Sequence, residues 1–229
     1  MQQNIISYEK RKNTKLFQSL KNLHIATHSQ NYLPIYERFF MLNENNQNCV
    51  NLNHAFYVDD IVSQNEHESL CIIKKTTDTN SKGERKKIFI KNAPLIDPFK
   101  YIVGKYKFTL EELNALPVYG VSKDDNKYDP NNRVYIESLF LYLCNQLLNV
   151  FQFPHGLEYY GSFLTVKEQF KLNIADDLEY IIESDFFIKN KNVLFQVDES
   201  LNAILMDYTQ NKPKINIHED GETVTVDIE

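Results

Sequence analysis

The segment from about Asn132 to Phe151 constrains the fold most strongly, because its pattern predicts one long helix. Apolar residues recur at helical spacing, at Val134, Ile136, Leu139, Phe140, Leu143, Leu147, Leu148 and Phe151. They occupy more than one side of the helix, which is typical of a helix packed on most of its faces. Glu137 is embedded in this segment and therefore needs a path to solvent or a polar partner.

The region before this helix has the pattern of a β-meander. Between residues 55 and 91, apolar runs alternate with polar stretches that contain Asp, Asn, Ser and Gly. The runs are Phe56–Val58, Ser69–Ile73 and Lys87–Lys91. Runs of this length, bounded by turn-forming residues, predict an antiparallel sheet of about three strands.

Shorter elements are expected around this centre. Further helices are predicted at residues 5–24, 32–42, 109–116 and 176–187, and an extended segment is the alternative for 32–42. Thr109 and Glu112 match the capping box that opens the third of them. Short strands are predicted within 157–166 and 192–197, and a terminal hairpin turns at Asp220-Gly221.

The order of these elements predicts an α+β fold. An antiparallel sheet packs on the long buried helix, after a helical N-terminal extension and before a C-terminal β hairpin. The helical extension comprises residues 1–50, the sheet and the long helix lie within residues 51–200, and the C-terminal tail with its hairpin comprises residues 201–229.

The scarcity of glycine excludes several classes of enzyme. The chain has 6 glycines, and no two of them lie within two positions of each other. Phosphate-binding loops, dinucleotide fingerprints and nucleophile elbows all need closely spaced glycines. None of these motifs occurs in the sequence.

Net charge and cysteine content limit the kinds of partner and binding site that are expected. The formal net charge is -6, with basic residues interspersed among acidic ones, so nucleic acid is not expected as a partner. The 3 cysteines are far apart, which supports neither a disulfide framework nor a zinc site. No stretch approaches about 18 apolar residues and no signal peptide is evident, so the expectation is a cytoplasmic chain without a membrane partner.

Two groups of polar residues could carry chemistry but favour ordinary surface roles. His24 and His28 have the spacing of a helical metal pair, yet no acidic residue stands at a matching position. The adjacent acids at Asp59-Asp60, Asp124-Asp125 and Asp176-Asp177 are typical of solvated loops and helix caps. A nuclease that uses these acids is the lowest-ranked alternative function.

Lys91 and Glu137 suggest a more specific function. Lys91 ends the last apolar strand of the meander, and Glu137 lies near the start of the long helix that follows. A strand lysine and a helix glutamate form the ion pair with which protein kinases hold the α- and β-phosphates of ATP. The alternative interpretation is a surface lysine and an unrelated glutamate.

Four stretches between about residues 50 and 200 carry a family resemblance. They are IFIKNAPLIDP at 88–98, the run from Asn131 to Ser138, HGLEYYGSFL at 155–164, and residues 176–187. These stretches resemble the N-terminal region of the serine/threonine protein kinase-like proteins of giant DNA viruses. Abundant Asn, Lys, Ile, Phe and Tyr, which A/T-rich codons favour, agree with such an origin.

The resemblance implies a kinase-like small lobe with large insertions. In it, Lys91 would anchor the phosphates of ATP, bound with Mg²⁺, and Glu137 would be its partner on the helix. The glycine-rich loop expected between about residues 56 and 73 is missing, and no His-Arg-Asp or Asp-Phe-Gly motif follows Val166. The chain is therefore expected to be the first half of a kinase-like protein, which is a fragment, a split gene product or a degenerate paralogue.

Two consequences follow for partners. The missing large lobe would come from a separate chain, in the host-cell cytoplasm or the virion. The alternative function is a non-catalytic protein-interaction or virion scaffold module that contacts its partner through a tyrosine-rich surface.

Overall fold

The described part of the chain is a mixture of helices and small antiparallel sheets, as expected for the α+β class. The structure is a computed structural model that describes residues 6–65 and 68–198, together with the backbone of 217–220 and 223–226. The strands are β1 (Tyr8–Lys10), β2 (Ala26–Gln30), β3 (Val50–Leu52), β4 (Phe56–Gln64), β5 (Ser69–Lys75), β6 (Glu84–Ile88), β7 (Leu164–Lys167), β8 (Ile217–Asp220) and β9 (Thr223–Val226). The α-helices are α1 (Thr14–Asn22), α2 (Pro98–Ile102), α3 (Leu110–Asn114), α4 (Arg133–Asn149), α5 (Leu178–Ile182) and α6 (Asp185–Asn190). Contacts group the described residues into two compact units, one within the bounds 1–97 and 108–171, the other within the bounds 98–107 and 172–229.

The N-terminal 50 residues contain strands as well as helical turns. The helix predicted at 5–24 is limited to α1, and the one predicted at 32–42 is a 3-10 helix at Pro34–Arg38. β1 pairs antiparallel with β3, and β2 pairs antiparallel with β7. The prediction of a helical N-terminal extension was therefore wrong, because β1 pairs with β3 at the end of this segment and β2 pairs with a strand far along the chain.

The predicted meander is present as the antiparallel sheet β4-β5-β6. Ile61 lies opposite Cys71, and Cys71 lies opposite Lys86. The third strand comes earlier than predicted, because β6 begins at Glu84 and ends at Ile88. Its first four side chains are exposed, so this edge strand lacks the apolar pattern that would reveal it in the sequence.

The helix that covers the buried face of this sheet is α1. Leu16 and Leu20 of α1 share a hydrophobic cluster with Ile61, Cys71 and Ile73. The sequence predicted the long helix in this position. The strands on either side of α1, β1 and β2, are both fixed by pairing with other strands, so α1 lies over the sheet β4-β5-β6. The one apolar face of α1 is enough to cover this sheet.

The long helix α4 closely matches its predicted bounds. The Asn132 side chain caps it by accepting from the Val134 amide at 3.0 Å, and its Nδ2 donates to the Leu95 carbonyl at 2.9 Å. The buried residues of α4 are Tyr135, Tyr142 and Asn145, of which the tyrosines belong to a cluster with Leu33, Val50 and Leu52. Phe140 and Leu147 are 61% and 44% exposed, so the helix is not packed on most of its faces.

Local signals predict the remaining elements unevenly. In the capping box of α3, the Thr109 hydroxyl accepts from the Glu112 amide at 3.2 Å, and the Glu112 carboxylate accepts from the Thr109 amide at 2.9 Å. The helix predicted at 176–187 is divided into α5 and α6, because Ser184 caps α6 by accepting from the Phe187 amide. The segment 192–197 is not a strand, and its Phe195 forms only an isolated bridge with Lys191.

The second unit has a small core of its own. Ile102 of α2 packs there with Leu178, Ile181 and Phe187 of α5 and α6. β8 and β9 form the predicted antiparallel hairpin, with Asp220 opposite Thr223, and part of its predicted turn lies outside the described residues. None of the described helices has the length and apolar character needed to cross a membrane.

Candidate functional site

Lys91 and Glu137 are in contact, as an ion pair between Lys91 Nζ and Glu137 Oε1. The pair connects the segment after β6 to the first turns of α4, across 46 positions of sequence. The Lys91 side chain is 53% exposed and that of Glu137 is 45% exposed. Exposed pairs contribute only about 0–1 kcal/mol to stability, so the fold does not depend on this contact.

The elements on either side determine where these two side chains point. Ile88 and Ile90 pack into the hydrophobic cluster of the sheet, whereas Phe89 is 76% exposed. This alternation places Lys91 on the solvent side. On α4, Tyr135 is fully buried and its hydroxyl donates to the Lys127 carbonyl at 2.6 Å, which fixes the rotation of the helix and leaves Glu137 accessible.

The pair could bind an anion at its exposed side. A lysine ammonium has three N–H donors, and the Glu137 carboxylate accepts from one of them. The remaining donors of a half-exposed ammonium can reach a phosphate oxygen from solvent. The arrangement is thus able to hold a phosphate group without losing the ion pair.

The β4-β5 hairpin occupies the position where the resemblance implies a glycine-rich loop. Where the two strands of this hairpin approach their connection, the Asn65 amide donates to the Glu68 carbonyl at 3.0 Å. The Glu68 amide donates to Asn65 Oδ1 at 2.7 Å. Residues 65–68 include no glycine, so their side chains hinder a close approach of the backbone to a phosphate.

A small cavity lies elsewhere in the first unit. Its volume is about 30 Å³, and its lining includes Arg11, Asn51, Tyr57 and Gly161 but neither residue of the ion pair. The Arg11 guanidinium lies 3.6 Å from the centroid of the Tyr57 ring, and burial lowers the pKa of Arg11 from its ordinary value. Because ligand pockets usually exceed about 300 Å³, this cavity suits water rather than a nucleotide.

The residues considered for metal binding do not converge. α1 ends at Asn22, so His24 and His28 do not share a helix, and His28 lies in β2. Asp59 is held by Lys15 at 3.2 Å and by Lys74 at 3.3 Å, which leaves its charge balanced. Across residues 6–65 and 68–198, no group of three His, Cys, Asp or Glu side chains could hold a metal ion.

Of the two tyrosines of the HGLEYYGSF stretch, Tyr159 is buried and Tyr160 is only partly exposed. Tyr159 is 6% exposed, its ring contacts that of Tyr142, and its hydroxyl is hydrogen-bonded to Ser138 and Ser162. Burial raises the pKa of Tyr159 to about 12. Exposed apolar side chains lie instead on α4 and on the turn after it. The sequence signal for this exposed surface, which the sequence analysis missed, is the absence of charged residues from 138 to 157.

Comparison with known proteins provides no relative. No protein-family model, no curated protein and no solved structure matches this chain. Any functional conclusion therefore depends on the chemistry of the residues described above and on the resemblance found in the sequence.

Proposed function

We propose that this chain is the N-terminal, ATP-binding part of a serine/threonine protein kinase-like protein, similar to those of giant DNA viruses. It corresponds to the small lobe of such a protein, with insertions, and it acts in the host-cell cytoplasm or the virion. These 229 residues contain neither a His-Arg-Asp nor an Asp-Phe-Gly motif, so phosphoryl transfer would require a large lobe in addition to them.

One observation carries this proposal, which is the contact between Lys91 and Glu137. A lysine that follows the third strand of an antiparallel meander and a glutamate near the start of the next long helix are similar in position to the lysine and glutamate that kinases use for this purpose. Two surface residues 46 positions apart have no local reason to meet. Their contact supports the functional interpretation over the alternative of unrelated surface charges.

Lys91 and Glu137 are better suited to binding the phosphates of ATP than to binding Mg²⁺. Lys91 would hold the α- and β-phosphates, and Glu137 would orient its ammonium group. The carboxylate and amide ligands that kinases use for Mg²⁺ belong to the motifs absent from this sequence. Mg²⁺ would therefore arrive with the nucleotide, held by phosphate oxygens and water.

Thermal unfolding with and without saturating Mg-ATP tests the proposal. A ligand at about 100 times its dissociation constant adds about 2.7 kcal/mol, which corresponds to a rise in Tm of about 5–10 °C for a chain of this size. We expect this rise for the natural chain and its loss in Lys91→Met. Because the Lys91 side chain is exposed, the variant should unfold at the same temperature as the natural chain when no nucleotide is added.

Lys87→Met is the matched control. Lys87 is also an exposed lysine at this end of the sheet, and it forms a comparable ion pair with Glu68 at 2.8 Å. The control should keep the full nucleotide-dependent rise. An equal rise in Lys91→Met, or no rise in the natural chain, would overturn the proposal and favour a non-catalytic interaction module.

A further inference from the structure

Large apolar side chains are exposed along one stripe of α4 and in the turn that follows. We define the α4 surface as Phe140, Leu147, Val150, Phe151, Phe153 and Leu157. Each of them is between 44% and 61% exposed. Phe140, Cys144, Leu147 and Phe151 recur every three or four positions, so they share one side of the helix.

The turn after the helix folds back and extends this stripe into a continuous surface. The Phe153 amide donates to the Leu147 carbonyl at 3.0 Å, which brings Phe153 beside the last turn. Gly156 lies directly against α4, where a Cβ atom would be 2.7 Å from the Cys144 carbonyl oxygen. Leu157 follows immediately, so both ends of the turn contact the helix.

The size of the α4 surface is that of an interface. Fully exposed side chains of this kind present about 150–200 Å² each, so the six expose on the order of 600 Å². This area is at the upper end of the range for the largest apolar patch of a monomeric protein, about 300–600 Å², and such patches are often functional. A stable interface of standard size buries about 800 Å² on each partner, which this surface and its polar rim together approach.

The charge distribution identifies a second copy of the chain as the partner. Residues 138–157 contain no Asp, Glu, Lys or Arg, so the surface can face its own copy without bringing like charges together. The stripe is also arranged about its centre, because Phe140 and Leu147 flank the half-buried Cys144. Two antiparallel helices related by a two-fold axis near Cys144 would place Phe140 of one copy opposite Leu147 of the other.

We propose that the chain forms a two-fold symmetric dimer through the α4 surface, with the two α4 helices antiparallel. The proposal uses only residues of the first unit and includes neither Lys91 nor Glu137. It assigns the exposed apolar side chains of α4 to self-association.

Sedimentation equilibrium over about two decades of protein concentration measures the association. The mass should rise from 27.0 kDa to twice that value as the concentration increases. Phe140→Glu should weaken the dimer by about 100-fold or more, because it buries an unpaired charge in the interface. Phe140 is 61% exposed, so this variant should keep the thermal unfolding of the monomer.

A mixing experiment tests the antiparallel arrangement. Leu147→Lys should also be monomeric, and an equimolar mixture with Phe140→Glu should regain the dimer, because the opposite charges would face each other. Met41→Glu is the control, since Met41 is 95% exposed and lies outside the α4 surface. A natural chain that stays monomeric, or a dimer that Phe140→Glu leaves intact, would overturn the proposal, and a mixture that stays monomeric would overturn the antiparallel pairing.

Discussion

The imidazole of His54 lies edge-on against the phenol ring of Tyr159, with 5.0 Å between the ring centroids. His54 is 3% exposed, and its Nδ1 donates to the Phe56 carbonyl, which leaves the ring neutral with its proton on Nδ1. Burial lowers the pKa of His54 from 6.5 to about 4. The first unit is therefore stabilised by an uncharged histidine.

This histidine predicts a loss of stability in mild acid. Above pH 6.5 the ring is neutral in both states, and as the pH falls from about 6.5 to about 4 only the unfolded chain takes up the proton. The free energy of unfolding should then decrease by up to about 3 kcal/mol. Urea denaturation at a series of pH values measures it, and identical pH profiles for the natural chain and His54→Gln would contradict the assignment.

Asn145 of α4 predicts a stabilising substitution. It is 1% exposed, and in the described part of the chain neither its amide nitrogen nor its amide oxygen has a hydrogen-bond partner. Because a buried unsatisfied amide costs about 1–3 kcal/mol, Asn145→Leu should raise the free energy of unfolding by about 1–2 kcal/mol. Urea denaturation provides the measurement.

The control for this prediction is the same substitution at the start of α4. Asn132 is also buried, but it caps the helix and donates to the carbonyls of Leu95 and Asn126. Asn132→Leu should lower the free energy of unfolding by about 2–3 kcal/mol. If both substitutions destabilise the chain to the same extent, the Asn145 amide has a partner such as a buried water.

Lys127 is a buried lysine that organises the segment before α4. Its side chain is 5% exposed, and its ammonium donates to the carbonyls of Glu112 and Ala115 and lies 3.5 Å from the Asp125 carboxylate. Lys127→Met should lower the free energy of unfolding by about 2–4 kcal/mol, because it leaves these acceptors unpaired. Adding Asp125→Asn should recover part of the loss, and full stability in the single variant would refute this role.

Replacing Gly156 should lower stability through a steric clash rather than through backbone strain. A Cβ atom there would lie 2.7 Å from both the Cys144 carbonyl oxygen and Leu148 Cβ, which the helix holds in place. Gly156→Ala should destabilise the chain by about 1–3 kcal/mol. Gly120→Ala has open space but a φ of +72°, so its cost should be only about 1 kcal/mol. Calorimetry should show the larger decrease in Tm for Gly156→Ala, and equal decreases would argue against the clash.

The sequence by itself determined the elements that depend on neighbouring residues. The helix α4, the capping box of Thr109 and Glu112, and a three-stranded antiparallel meander were all predicted, although the third strand begins earlier than expected, because propensity, caps and turns act over a few positions. The resemblance also identified Lys91 and Glu137 as a candidate pair. That the two residues contact each other is a property of the tertiary structure.

Only the tertiary structure decided how these elements combine. The pairing of β2 with β7 joins strands more than 100 residues apart, and α1 rather than α4 covers the sheet. Apolar composition predicted a buried α4, but the burial of a helix depends on the elements that pack against it, and Phe140 is left 61% exposed. The buried roles of Lys127, His54 and Asn145 leave no mark in the sequence, because a polar residue is buried or solvated according to partners distant along the chain.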